Sequence, residues 1–262
     1  MSLTLDIGAT GMLAQQLNVD VISNNIANMT TTGYKRQRAE FQDLLYQTKV
    51  RPGASSSDQG TTIPAGVQQG LGVKAGSVYR INEQGALQMT GNQFDIANKG
   101  AGYFQVTLPN GDTAYTRDGS FQVNQDGQMV TPKGYLVQPG ITIPPNAVDV
   151  TINSTGQVLV KIQGTTNLQE AGRIQLAAFA NEAGLDAIGD NLLLETEASG
   201  SAVVGDPGTD GYGEIEQGAL ETSNVNIVQE ITSLIQAQRA YEMNSKVIQA
   251  GDEMLSTITQ MR

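Results

Sequence analysis

The strongest constraint in this chain is an apolar recurrence near its end. Ile227, Leu234, Tyr241, Ile248 and Leu255 follow one another at seven-residue intervals. That period keeps one stripe of an α-helix facing one way, and its repetition is the pattern of helices that wind on a partner. Ile231, Gln238, Ser245, Asp252 and Thr259 form an interleaved, mostly polar column. Ser223 or Asn224 is placed to cap the start. At about 1.5 Å per residue, a helix over 222–260 would run about 60 Å, too long for one small globule to cover.

The opening segment repeats the design. Leu5, Met12, Val19 and Ile26 share the seven-residue spacing, with Ala9, Gln16 and Ser23 between them. This predicts a helix over about 3–30, with Gly33 at or just past its end. Residues 1–30 carry only two charges, Asp6 and Asp20. An exposed helix face normally carries many more charges. Here it carries Gln15, Gln16, Asn18, Ser23, Asn24, Asn25 and Asn28. Amides donate and accept at once and satisfy one another where water is excluded, which charges do only at high cost. Two arrangements fit: a helical hairpin within one chain, or such a pair packed further among copies of itself.

The middle, 72–218, alternates short β-like runs with turn signals. Tyr103–Leu108 precedes Pro109-Asn110-Gly111, and Phe121–Val123 precedes Asn124-Gln125-Asp126-Gly127. Val148–Ile152 and Val158–Ile162 flank Asn153-Ser154-Thr155-Gly156, and Arg173–Ala180 and Leu192–Glu195 read as further strands. The fold class is therefore α+β: terminal helices forming a coiled-coil domain, and an all-β middle domain. The expected division is 1–35 for the first helix, 36–71 for an extended segment, 72–218 for the β-rich domain and 219–262 for the second helix. Within the extended segment, 47–71 contains Ser55-Ser56-Ser57, Gly60, Pro64 and Gly66. It is long for a linker, and reads as disordered alone or ordered by a partner.

Composition narrows the function. The net charge is −11, which disfavours nucleic acid and anionic membrane surfaces as partners. There is no Cys and no His, which removes disulfides, thiolate nucleophiles, His-containing triads and the usual zinc and copper sites. No metal, cofactor or catalytic residue is expected. Asp206-Pro207-Gly208-Thr209-Asp210-Gly211 has the look of a calcium loop but places Gly208 and Gln217 where ligands belong, so it reads as a turn. Gly70-Leu71-Gly72-Val73-Lys74-Ala75-Gly76 lacks the spacing of a phosphate-binding loop. Asp118 and Asp126 form an imaginable carboxylate pair for glycan cleavage. Each precedes a glycine, and Asp-Gly is a turn pair. The start lacks a basic region followed by an apolar core, so the chain is expected either to be cytoplasmic or to leave by a route that reads no cleaved signal peptide.

Particular motifs carry a family resemblance. Asn24-Asn25-Ile26-Ala27-Asn28 with Thr32-Gly33-Tyr34-Lys35 resembles the N-terminal signature of the bacterial flagellar rod and hook family. Gly218-Ala219-Leu220-Glu221-Thr222-Ser223-Asn224-Val225, then Gln238-Arg239-Ala240-Tyr241-Glu242-Met243-Asn244-Ser245-Lys246, resembles its C-terminal signature. Gly100–Phe104 and Tyr115–Phe121 are similar to segments of the family core, so the likeness covers nearly the whole chain. Met29 departs from the small residue usual there. Length and the stretch Gly33–Tyr46 are most similar to the distal rod members.

The resemblance implies a structural, non-enzymatic subunit of a rigid tubular shaft that transmits torque to the hook. The alternatives are a proximal rod or hook subunit of the same family and, more remotely, a peptidoglycan-cleaving enzyme. It implies as partners copies of the chain in a helical tube, proximal rod and hook subunits, the peptidoglycan-layer and outer-membrane ring proteins, and the flagellar export apparatus. The implied place is the basal body, across the periplasm. Residues 36–71 are expected to help set the shaft's stiffness.

Overall fold

The computed structural model describes residues 3–52, 65–164 and 167–260. The chain forms two compact units. One is made of residues 1–26, 37–79 and 226–262, the other of 27–36 and 80–225. The chain therefore passes between them four times, after Ile26, Arg36, Tyr79 and Val225.

The first unit holds both long helices, Leu3–Ala27 and Ile227–Gln260. It also holds two strand pairs. Gln37–Asp43 pairs with Val73–Arg80, and Tyr46–Val50 pairs antiparallel with Val67–Gly70. The stretch expected to be an extended linker over 36–71 is thus largely β-structure where described, and it continues into Val73–Arg80. The serine run Ser55-Ser56-Ser57, Gly60 and Pro64 lie outside the described residues. The ribbon's first strand, Tyr46–Val50, is exposed on both faces. It has no apolar alternation to read.

The second unit is β-rich, as its alternating runs predict. Among the described residues a nine-stranded sheet centres on Tyr103–Thr107 and Thr113–Thr116. A three-stranded sheet joins Ala147–Ile152, Gln157–Ile162 and Leu168–Arg173. Phe104, Phe121, Met129, Ile141, Val158, Ile174 and Leu176 lie in one core, with Phe104 and Phe121 edge to face at 5.4 Å. Two turns share one device. The side chain Oδ1 of Asn124 accepts from the Gln128 amide, and that of Asn153 from the Gln157 amide, and each turn closes on a glycine.

Candidate assembly helices and the motif clasp

The two long helices run antiparallel. Leu5 and Thr4 lie against Gly251, Gly8 against Ile248, Gly11 against Asn244, and Asn25 against Glu230. Small residues set the spacing. A β-carbon on Gly8 would stand 2.6 Å from Ile248 Cγ1, and one on Gly11 2.8 Å from Asn244 Nδ2. The first helix thus lies close against side chains of the second, as helices do where the contact residues are small. Glu230 and Ala237 are buried on this seam, and so is Gly251.

The sequence columns fall beside this seam. Leu5, Met12, Val19 and Ile26 are half-buried, as are Leu234 and Ile248. Ile227, Tyr241 and Leu255 are exposed. The buried positions of the two helices lie one residue before the interleaved columns. Ala9, Gln16 and Ser23 are exposed, and so are Ile231, Gln238, Asp252 and Thr259. Their predecessors Gly8, Ile22, Glu230, Ala237 and Gly251 are the buried ones. Glycine carries no apolar weight in a periodicity count, so the closest contacts were the least visible.

Among the polar side chains that the second helix leaves outward, Arg239, Glu242, Lys246 and Glu253 included, stand large apolar ones. Val228, Ile231, Ile235, Met243, Val247 and Met254 are all exposed. Such a stripe on a long helix marks a surface that another surface covers. Arg239, in the family motif, is exposed and pairs with Glu242 one turn on, at 2.8 Å.

The other motif residues converge on a different site, inside the β-rich unit. Gly33 adopts φ +66°, and a β-carbon there would meet the Arg117 carbonyl carbon at 2.8 Å. Only glycine meets both conditions without strain. Its amide donates to the Glu221 backbone oxygen at 2.8 Å. The next turn of chain delivers Lys35, whose Nζ donates to Glu221 Oε1 at 2.6 Å and to the Glu83 carbonyl at 2.9 Å. The same Glu221 oxygen accepts from the Gly85 amide at 2.8 Å. Arg117 Nη1 stands 3.5 Å from Glu221 Oε2, an electrostatic contact rather than a hydrogen bond, and its guanidinium lies over the Tyr103 ring at 5.1 Å. Lys35 is 6% exposed, Arg117 6% and Glu221 1%, so one carboxylate serves two cations away from water.

Asn224 completes this clasp. Its side chain accepts from the Arg36 amide at 2.7 Å and donates to the carbonyls of Ile81 and Glu83 at 2.8 and 2.9 Å. Burial pulls the Lys35 ammonium below its ordinary value, with the Glu221 carboxylate pulling back. Burial pushes the Tyr103 phenol up, and Glu182 beside it pushes the same way.

Among the family-motif residues, then, Gly33 and Lys35 belong to the clasp, and Tyr34 carries the backbone between them. Asn25 belongs to the helix seam, where it is 1% exposed. Asn244 also lies on the seam, against Gly11. Ile26 and Asn28 are half-buried, Ala27 is exposed, and Tyr241 is 43% exposed. Glu221 sits in a quoted motif without a role, and Arg117 and Glu230 are not singled out; Asn224, expected with Ser223 as a cap of the second helix, serves the clasp instead, and Asn226 caps that helix by accepting from the Val228 and Gln229 amides. The signal for Glu221 and Glu230 is a charge inside an otherwise neutral run.

The enzyme-like features dissolve into turns. Asp118 accepts from the Ser120 amide and hydroxyl and from Asn191. Asp206 is held by Arg173 and Gln175, whose hydrogen bonds draw its carboxyl below the usual range. Among the described residues no acidic or His/Cys cluster could hold a metal, and no helix is long and apolar enough to cross a membrane.

Three family models match the chain in separate stretches. Residues 5–35 match the flagella basal body rod protein, 97–160 the D1 domain of flagellar hook protein FlgE/F/G, and 216–261 the C-terminal part of flagellar basal body rod FlgEFG proteins. The flagellar basal-body rod protein FlgG of Caulobacter vibrioides is 60% identical over 98% of each chain. FlgG of Agrobacterium fabrum is 52% identical, again over 98% of both. FlgF of the same Caulobacter is 33% identical over 97% of this chain and 95% of its own.

Proposed function

Because this chain belongs to the family of flagellar basal-body rod and hook subunits, we infer that its work is mechanical and that its long helices are the joints. It is a structural subunit of the distal rod, a part of the basal body, and it assembles with copies of itself and with other rod and hook subunits. The observation that carries the mechanical reading is the outward apolar stripe Val228, Ile231, Ile235, Met243, Val247 and Met254. A helix in water does not keep such a stripe, whereas a helix walled in by like helices needs one. Contacts repeated by a screw operation give an open tube instead of a closed ring. Close-packed side chains then carry torque from copy to copy with little compliance.

Leu5, Met12, Val19, Ile26, Ile227, Leu234, Tyr241, Ile248 and Leu255 flank the intrachain seam in this reading, and the exposed ones among them extend the joint to neighbours. The strand pairs within 36–80 stiffen the shaft, because a ribbon exposed on both faces holds its shape only against a neighbour. The finer address is across the periplasm, within the peptidoglycan-layer and outer-membrane rings. Delivery is by the flagellar export apparatus, without a cleaved signal. Against a peptidoglycan-cleaving activity stands Asp118, whose carboxylate is engaged by Ser120 in a turn. The lower identity to FlgF, a differently named basal-body rod protein, favours the distal rod reading over another member of the family.

The test is Ile235→Lys with Met243→Lys. Both side chains are exposed, so the isolated chain should fold with unchanged helicity and melting. Cells carrying the pair should export the subunit yet build no rod beyond it. Complete rods and normal motility would refute the joint.

A further inference from the structure

We propose that Asn25 is a register key: it fixes which turn of the first helix faces which turn of the second. The inference concerns the helix pair itself and stands whatever the assembled shaft looks like.

Gly8 and Gly11 set how closely the helices approach, but the apolar column beside them specifies register weakly. Leu234, Tyr241, Ile248 and Leu255 repeat at seven-residue steps, so a slip of one heptad returns apolar residues to the same side. The facing column offers Ala237, Asn244 and Gly251, small or neutral residues that tolerate several neighbours. Glu230 is the single charge in that column, and it is 7% exposed. Its Oε2 accepts from Asn25 Nδ2 at 3.2 Å.

Asn25 is itself held from the other side. Its Oδ1 accepts from the Gln37 amide at 2.8 Å, and its Nδ2 donates to the Gln37 carbonyl at 2.8 Å. The amide pairs with the backbone of Gln37 as another peptide group would, which leaves its second N–H aimed at Glu230. One side chain thus ties the end of the first helix, the start of the strand Gln37–Asp43 and the second helix. Slip in one direction sets Asn25 against Ala237 and buries Glu230 without its donor. Slip in the other carries Glu230 past Asn25 and leaves the second N–H unanswered. A polar contact that is satisfied in one alignment only is how helix pairs specify register.

The chain's lack of cysteine allows a direct reading. The pair Gly11→Cys/Asn244→Cys reports the observed alignment, because residue 11 faces Asn244 at contact distance. The pair Gly11→Cys/Gly251→Cys reports a slip of one heptad, about 10 Å along the axis at 1.5 Å per residue and beyond disulfide reach in the observed alignment. Full-length chains equilibrated in a glutathione redox buffer are scored for intramolecular disulfide by peptide mapping. With Asn25 and Glu230 present, the first pair should close at least about tenfold more than the second, as a hydrogen bond to a charged group contributes. In Asn25→Leu/Glu230→Leu, where both polar groups are gone and the seam still packs, the ratio should fall to within about twofold. Glu230→Gln, which keeps an acceptor, should retain most of the preference. An unchanged ratio in the Leu/Leu chain, or no preference in the parent, overturns the proposal.

Discussion

Glu221→Gln should destabilise the β-rich unit far more than Lys35→Met, although each removes one end of the same 2.6 Å contact. The clasp holds two buried cations on one buried carboxylate. Replacing Glu221 by its neutral isostere keeps the shape but leaves Lys35 and Arg117 charged without a counter-ion. Breaking a buried pair in this way costs about 3–5 kcal/mol. Removing Lys35 leaves Glu221 beside Arg117 and the Gly85 amide, so charge remains balanced. The Glu83 carbonyl keeps the Asn224 donor. The lowered Lys35 pKa says that burying this ammonium costs more than Glu221 returns, so its loss also relieves a penalty. The expected cost of Lys35→Met is about 1 kcal/mol. Near-UV dichroism follows the unit, because there is no Trp and Tyr103 and Tyr115 are buried within it. For a unit of this size about 2–4 °C accompanies each kcal/mol, so Glu221→Gln should lower its melting temperature by about 6–20 °C and Lys35→Met by only a few. If Lys35→Met proves the more damaging, the counting of two cations on one anion is wrong.

Three further outcomes are expected. Gly11→Val should abolish rod assembly while leaving the β-rich unit's melting unchanged, since its side chain would strike Asn244 at about 1–3 kcal/mol of overpacking; normal rods would refute the close seam. Gly119→Ala should unfold the β-rich unit, because a β-carbon there would overlap the backbone oxygen of Ile96, whose own amide already bonds Gly119; urea titration by dichroism checks it. Tyr103 keeps its proton in the folded state above the ordinary phenol value of 10.0, whereas the unfolded chain releases it there, so stability from this group is full below pH 10 and falls as pH rises past it. Tyr103→Phe should therefore flatten the loss of stability between pH 10 and 11, and an unchanged slope would show that the phenol does not titrate with unfolding.

How much of this was legible depends on what kind of residue made the contact. The β-strands of the middle announced themselves through alternation and through Asn-x-x-Gly turns, and Asn124 and Asn153 behave as that pattern requires. The helices were legible from Leu5 and Ile227 onward, but their facing was not, because Gly8, Gly11 and Gly251 contribute position instead of hydrophobicity. The strand Tyr46–Val50 was hidden for the opposite reason, since it is exposed along its whole length and has no buried face to pattern, whereas Gln37–Asp43 does alternate, with Ala39 and Phe41 half-buried between the exposed Arg38, Glu40 and Gln42. The clasp was beyond reach, since nothing local says that Lys35 and Glu221 meet across the length of the chain.

That separation orders events in time. Lys35 and Glu221 stand 186 residues apart. A chain that emerges from its amino end must hold an unneutralised lysine until almost all of the remainder has followed. Contacts this distant in sequence form late, because the intervening loop must close first. The β-rich unit therefore stays unfinished until its closing strand arrives.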